Sequence, residues 1–84
     1  MSSLAINAVL ATKVECTEDE IIVHLGDGRR LSAPIIWFPR LANASVAERN
    51  VYELIGNGEG IHWPQLDEDI SVAGLLAGKP SVEF

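Results

Sequence analysis

The tripeptide Gly26-Asp27-Gly28, set between apolar runs, restricts this chain more than any other stretch. On its N-terminal side, Glu20 to Leu25 puts Ile21, Val23 and Leu25 on one face. Glu20, Ile22 and His24 fall on the other, the period-two pattern of a strand. A two-residue Asp27-Gly28 turn sets Leu25 against Arg30 and Val23 against Ser32, which mixes the faces. A three-residue loop, Gly26 to Gly28, sets Val23 against Leu31 and Ile21 against Ala33, which keeps one side apolar. The reading is therefore a bulged hairpin loop with Gly28 at positive φ and His24 facing Arg30 on the wetter side. Upstream, Ala8 to Thr17 also alternates, with Leu10, Thr12, Val14 and Cys16 on one face and Lys13, Glu15 and Thr17 on the other. With Glu18-Asp19 as the turn, Cys16 lies opposite Ile21 and Val14 opposite Val23. The stretch from about Ala8 to Ile36 reads as a three-stranded antiparallel meander.

Pro34 to Leu41 follows, with one of the two Trp, one of the two Phe and two of the four Pro. Pro34 has no N–H for a ladder bond, so it ends the strand or sits at an edge. Arg40 to Ala44 is a turn or a short helix. Ser45-Val46-Ala47-Glu48 is a capping box that opens the main helix, Ser45 to Ile55. Its buried stripe is Ala44, Ala47, Val51, Leu54 and Ile55; Arg49, Tyr52 and Glu53 face outward, and Gly56 stops it. Asn57 to Gly60 is a glycine-rich connection suited to positive φ. Ile61-His62-Trp63 is a short extended piece ended by Pro64, placed to fold back against the Pro34 to Leu41 stretch. Ser71 caps a short C-terminal helix through Val72, Leu75 and Leu76, stopped by Gly78 and Pro80. The fold class expected is α+β: the meander, one main helix, a short extra strand and a short C-terminal helix. Residues 1–84 form a single domain in this reading, with 1–7 and 81–84 flexible unless Phe84 docks.

A chain of 84 residues is near the small end of what folds alone, so burial of further apolar surface in a homodimer is expected. The charge is acidic, 12 Asp and Glu against 6 Lys and Arg. That balance repels a phosphate backbone, so no nucleic-acid partner is expected; a basic protein partner suits it better. Cys16 is the only cysteine, which excludes an intrachain disulfide and a Cys-x-x-Cys site. No apolar run approaches a membrane span and no leader pattern opens the chain, so the expected location is cytoplasmic.

Candidate ligand or interface residues are Trp37, Arg40, His62, Trp63, Asp67 and Asp69. Trp37, Phe38 and Trp63 serve either as core or as interface anchors, and a domain this small has strong need of them for packing. Arg40 is placed to pair with one of Asp67 to Asp69 and so to staple the two Pro-bounded stretches. Glu59, His62 and Asp67 to Asp69 include oxygen donors for a metal, but their spacing matches no calcium loop. The plainer use of those acids is to favour the positive end of the helix that follows. His62 lacks a partner motif for catalysis, and His24 and Cys16 read as structural. Gly56, Gly58 and Gly60 lack the Lys-Ser/Thr and strand-to-helix context of a phosphate loop. No catalytic residue, metal or cofactor is assigned.

Several segments together resemble the domain-of-unknown-function family 2442 of bacteria. They are Gly26-Asp27-Gly28-Arg29, Trp37-Phe38-Pro39-Arg40-Leu41, Ala44-Ser45 with Glu48-Arg49, and Gly60 to Pro64 through Asp67 to Val72. The likeness runs from about Val14 to Gly78. It implies a small cytoplasmic α+β domain with no established activity and no catalytic residues to carry over. Longer relatives append a helix-turn-helix that binds DNA, and some short members look like the partner half of toxin–antitoxin-style gene pairs. The function expected is a non-enzymatic protein-interaction module, antitoxin-like, working as a homodimer or with a basic partner. The alternative is a small-ligand or metal-binding domain built on His62 and the Asp67 to Asp69 acids.

Overall fold

The structure is a computed structural model whose described residues are 10–78. The expectations for 1–7, for Pro80 and for 81–84 lie outside them. Strands β1 (Ala11–Cys16), β2 (Glu20–Leu25) and β3 (Arg30–Pro34) form the first antiparallel sheet, in the order β1-β2-β3. The registers match the sequence reading: Cys16 opposite Ile21, Val14 opposite Val23, Val23 opposite Leu31, and His24 opposite Arg30. Gly28 has φ +93°. Asp27 fixes the loop from one side, its carboxylate accepting from the Arg29 main-chain N–H at 3.0 Å and from Arg29 Nε at 2.6 Å.

One strand departs from strict alternation. A bulge between Ala11 and Lys13 shifts the pairing, so Ala11 is buried and Thr12 exposed, where the even spacing puts Thr12 on the apolar face. The turn before β2 is organised by Thr17, whose hydroxyl accepts from the N–H groups of Asp19 and Glu20.

After β3 a short 3₁₀ turn (Ile35–Trp37) leads into helix α1 (Pro39–Ala42), with Pro39 in its first turn, where the missing N–H costs nothing. Helix α2 (Val46–Arg49) opens with the capping box as read from sequence: Ser45 Oγ accepts from Glu48 N–H, and the Glu48 carboxylate accepts from Ser45 N–H.

The eleven-residue helix is the main correction. The helix stops after one turn at Asn50, and Glu53–Ile55 is instead strand β4. It pairs with β5 (Gly60–Trp63), which pairs with β6 (Glu68–Ser71), giving a second antiparallel sheet in the order β4-β5-β6. Apolar residues at 51, 54 and 55 satisfy a helical stripe and a strand equally, and pairing with residues 60–62 decides between them. The predicted stripe is therefore not buried, since Ala47, Val51, Leu54 and Ile55 are exposed, while Arg49 and Tyr52 turn inward instead of outward. Gly56 is not a helix stop; it opens the β4–β5 loop, where Gly56, Asn57 and Gly58 all have positive φ.

The acids before the last helix are corrected too. Glu68 and Asp69 lie in β6, and none sits in the first turn of helix α3 (Val72–Leu76), which Ser71 caps by accepting from Gly74 N–H. Both sheets, the 3₁₀ turn, α1 and α3 contribute to one apolar cluster that includes Val14, Ile21, Val23, Ile35, Phe38, Leu41, Ile61, Trp63, Ile70 and Val72. The α+β class stands, with two three-stranded meanders in place of one.

Candidate functional site

The second sheet carries most of the residues singled out from sequence, and its alternation sorts them. Ile61, Trp63, Glu68 and Ile70 point into the core; Glu53, His62 and Asp69 lie side by side on the outer face, in successive strands. On that face His62 Nδ1 is 2.5 Å from Asp69 Oδ1. Asp67 belongs to a different place. It closes the β5–β6 turn at φ +53°, a conformation Asp tolerates better than most side chains. Its main-chain carbonyl accepts from Arg40 Nη1, and its carboxylate lies 3.7 Å from the same nitrogen. Arg40 thus ties α1 to the second sheet, as the sequence suggested.

His62 and the three acids do not converge. Asp67 turns to Arg40, Asp69 turns to His62, and Glu68 between them points inward with 5% exposure. Among the described residues, no group of three or more His, Cys, Asp and Glu is placed to hold a metal.

Trp63 has 0% exposure and its Nε1 donates to the Arg49 carbonyl at 3.0 Å. It is core, and so is Phe38, which removes both from any contact surface. Trp37 is half-buried against the same cluster, beside Ile36, which is 75% exposed.

Arg49 and Tyr52, read from sequence as outward-facing, hold the sheets together. Arg49 donates to the carbonyls of Leu41, Ala42 and Thr17 at 2.8–3.0 Å. Tyr52 Oη accepts from the Val14 N–H at 3.0 Å, and its ring tilts against Trp63. No local pattern marks such long-range carbonyl partners. The strand-forming run Val51 to Ile55 was the available signal for β4.

Among the described residues, three of the six exposed large apolar side chains lie in or next to β4: Val51 (41%), Leu54 (37%) and Ile55 (44%). With Glu53 they make one exposed strip on the outermost strand of the second sheet. Among the described residues, no helix is long and apolar enough to cross a membrane.

Comparison with known proteins agrees with this architecture. A protein of unknown function from Rhodospirillum rubrum, known from its crystal structure, is similar at TM-score 0.74 and 32% identity, covering 88% of this chain and 92% of that one. The solution structure of an uncharacterized protein from Chromobacterium violaceum superposes at TM-score 0.77 and 23% identity, over 96% of this chain and 76% of that one, and shares the fold. None of the curated proteins matches the chain. The model of the family "protein of unknown function (DUF2442)" matches residues 11–81. With most of its length matched, the chain belongs to the DUF2442 family.

Proposed function

We propose that this protein is a non-enzymatic protein-interaction module, antitoxin-like in the sense that its work is to bind a partner. The observation that carries this reading is the strip of β4. Among the described residues β4 is the outermost strand of its sheet, and its Leu54 and Ile55, with Val51 just before it, are all more than a third exposed, which offers apolar surface beside a strand edge. Natural sheets usually blunt such an edge with Lys, Pro or a covering loop, and β4 has neither Lys nor Pro. A homodimer through this edge and a complex with a basic protein are both served by it.

The small-ligand or metal reading has less support, because Asp67 turns to Arg40 while Asp69 turns to His62, and among the described residues no group of three such side chains is placed to hold a metal. The test is affinity capture from the host lysate with the full chain as bait, followed by mass spectrometry. One partner in about equal amount is expected, and a basic nuclease-like partner favours the antitoxin-like version. Recovery of the bait alone, with no dimer in sedimentation, would sink the interaction reading.

A further inference from the structure

The four sheet borders are not equivalent. On β1 the Val14 N–H is already taken by Tyr52. β3 ends at Pro34, and β6 runs directly into α3. Among the described residues, β4 shows no such protection. Leu54 extends the core side of the sheet, opposite Ile61, while Ile55 lies on the outer side across Gly60, so apolar surface is offered on both faces.

The charge is as unevenly placed as the edges. Residues 50–78 hold Glu53, Glu59, Asp67, Glu68 and Asp69 and no Lys or Arg, so this segment accounts for five of the chain's six units of net negative charge. Glu53 stands on β4 itself, and the Glu59 side chain lies against Gly56 just past its end. Pairing β4 with β4 of a second copy brings two such halves together and puts Glu53 and Glu59 of both into one seam. An incoming strand with Lys or Arg between its apolar residues places cations beside Glu53 and Glu59 and covers Leu54 and Ile55.

We propose that β4 accepts an extended, basic segment of a partner protein as a fourth strand of the second sheet. The proposal rests on the interaction-module reading and specifies the partner's chemistry. The experiment titrates the 15N-labelled full chain with a synthetic octapeptide of alternating lysine and valine, and with its glutamate–valine counterpart. Saturable amide shifts at Glu53, Leu54 and Ile55, with slowed hydrogen exchange there, are expected for the lysine peptide only. Ile55→Lys is expected to weaken binding about tenfold by removing apolar cover and adding a like charge. Glu53→Lys, on an exposed side chain, tests charge alone and should weaken it as well; circular dichroism confirms that both variants fold.

Equal binding of the glutamate peptide, shifts centred on another strand, or a wild-type dimer that Ile55→Lys dissolves would each overturn the proposal. A lysate partner captured equally well by Ile55→Lys removes the strand-addition mode while leaving the interaction reading intact.

Discussion

Arg49 shows how much one side chain organises here. Its guanidinium serves three carbonyls from two separate segments, and its own carbonyl receives the Trp63 indole. Lysine keeps the charge but not the planar fork, so it cannot serve the same acceptors. Arg49→Lys is expected to cost about 1–3 kcal/mol, since donors to charged or half-buried groups carry that range. Thermal unfolding checks it, and an unchanged melting temperature would deny Arg49 this role. Arg40 is more exposed, and Arg40→Ala should lower stability by about 1 kcal/mol or less.

Titration at single residues predicts the pH profile. Glu15 is held below the usual carboxylate range by His24 first and Lys13 next, and Asp27 by the Arg29 main-chain N–H and side chain. Both carboxylates are easier to ionise in the folded chain, so their contribution is present above the ordinary range and lost as pH falls below about 4. Burial pushes the Cys16 thiol above its ordinary 9.0, with Arg49 pulling the other way. The folded state therefore favours the thiol, and that contribution is lost as pH rises past 9.0. Urea midpoints for the protein and for Cys16→Ala should run parallel up to about pH 8 and then converge or cross, as the wild type alone weakens.

At the scale of elements, the β4–β5 loop is the tightest joint. Gly58 has φ +107°, and a Cβ there would sit 2.4 Å from the Ala11 carbonyl oxygen and 2.9 Å from the Ala11 nitrogen. Both obstacles are backbone, so neither yields by a rotamer change. Gly58→Ala is expected to destabilise by about 2 kcal/mol or more, combining the left-handed penalty with displacement of β1. Gly28 offers the contrast: at φ +93° it has open space around its would-be Cβ, so Gly28→Ala carries the conformational penalty alone. Melting curves of the two variants should rank Gly58→Ala well below Gly28→Ala, and the reverse order would contradict the close approach. The capping box belongs to this scale too. It starts α2 correctly, yet a cap contributes only about 1 kcal/mol and cannot carry a helix past Asn50 when three cross-strand pairs compete.

At the scale of the molecule, the two sheets share one core and hold each other through named bonds. Tyr52 binds the edge of β1, Arg49 donates to the Thr17 carbonyl at 3.0 Å, and Trp63 of the second sheet lies in the same cluster as Val14 and Val23 of the first. Both three-stranded meanders bury their apolar faces in that one shared cluster. Unfolding in urea is therefore expected to be one transition, with tryptophan fluorescence and far-ultraviolet circular dichroism superimposed. Two separated midpoints would show that the sheets melt independently. Charge is partitioned on the same scale, since five of the six Lys and Arg lie in residues 1–49 and five of the six units of net negative charge in residues 50–78.

The sequence by itself determined the β2–β3 register and the β1–β2 register from Val14 to Cys16, because Gly26-Asp27-Gly28 and two alternating runs favour one arrangement with a dry face; the bulge between Ala11 and Lys13 was not legible in it. It also determined the α+β class, both side-chain caps and the tie between Arg40 and the β5–β6 turn. Only the tertiary structure decided that Glu53–Ile55 is a strand, that Glu68 points inward, and that His62 pairs with Asp69. The physical reason is common to all three. A period read over five residues cannot distinguish a helix stripe from a strand, and which face of β6 is buried depends on its pairing with β5. The free edge of β4 follows from the same pairing, because a strand becomes an edge only through what lies beside it.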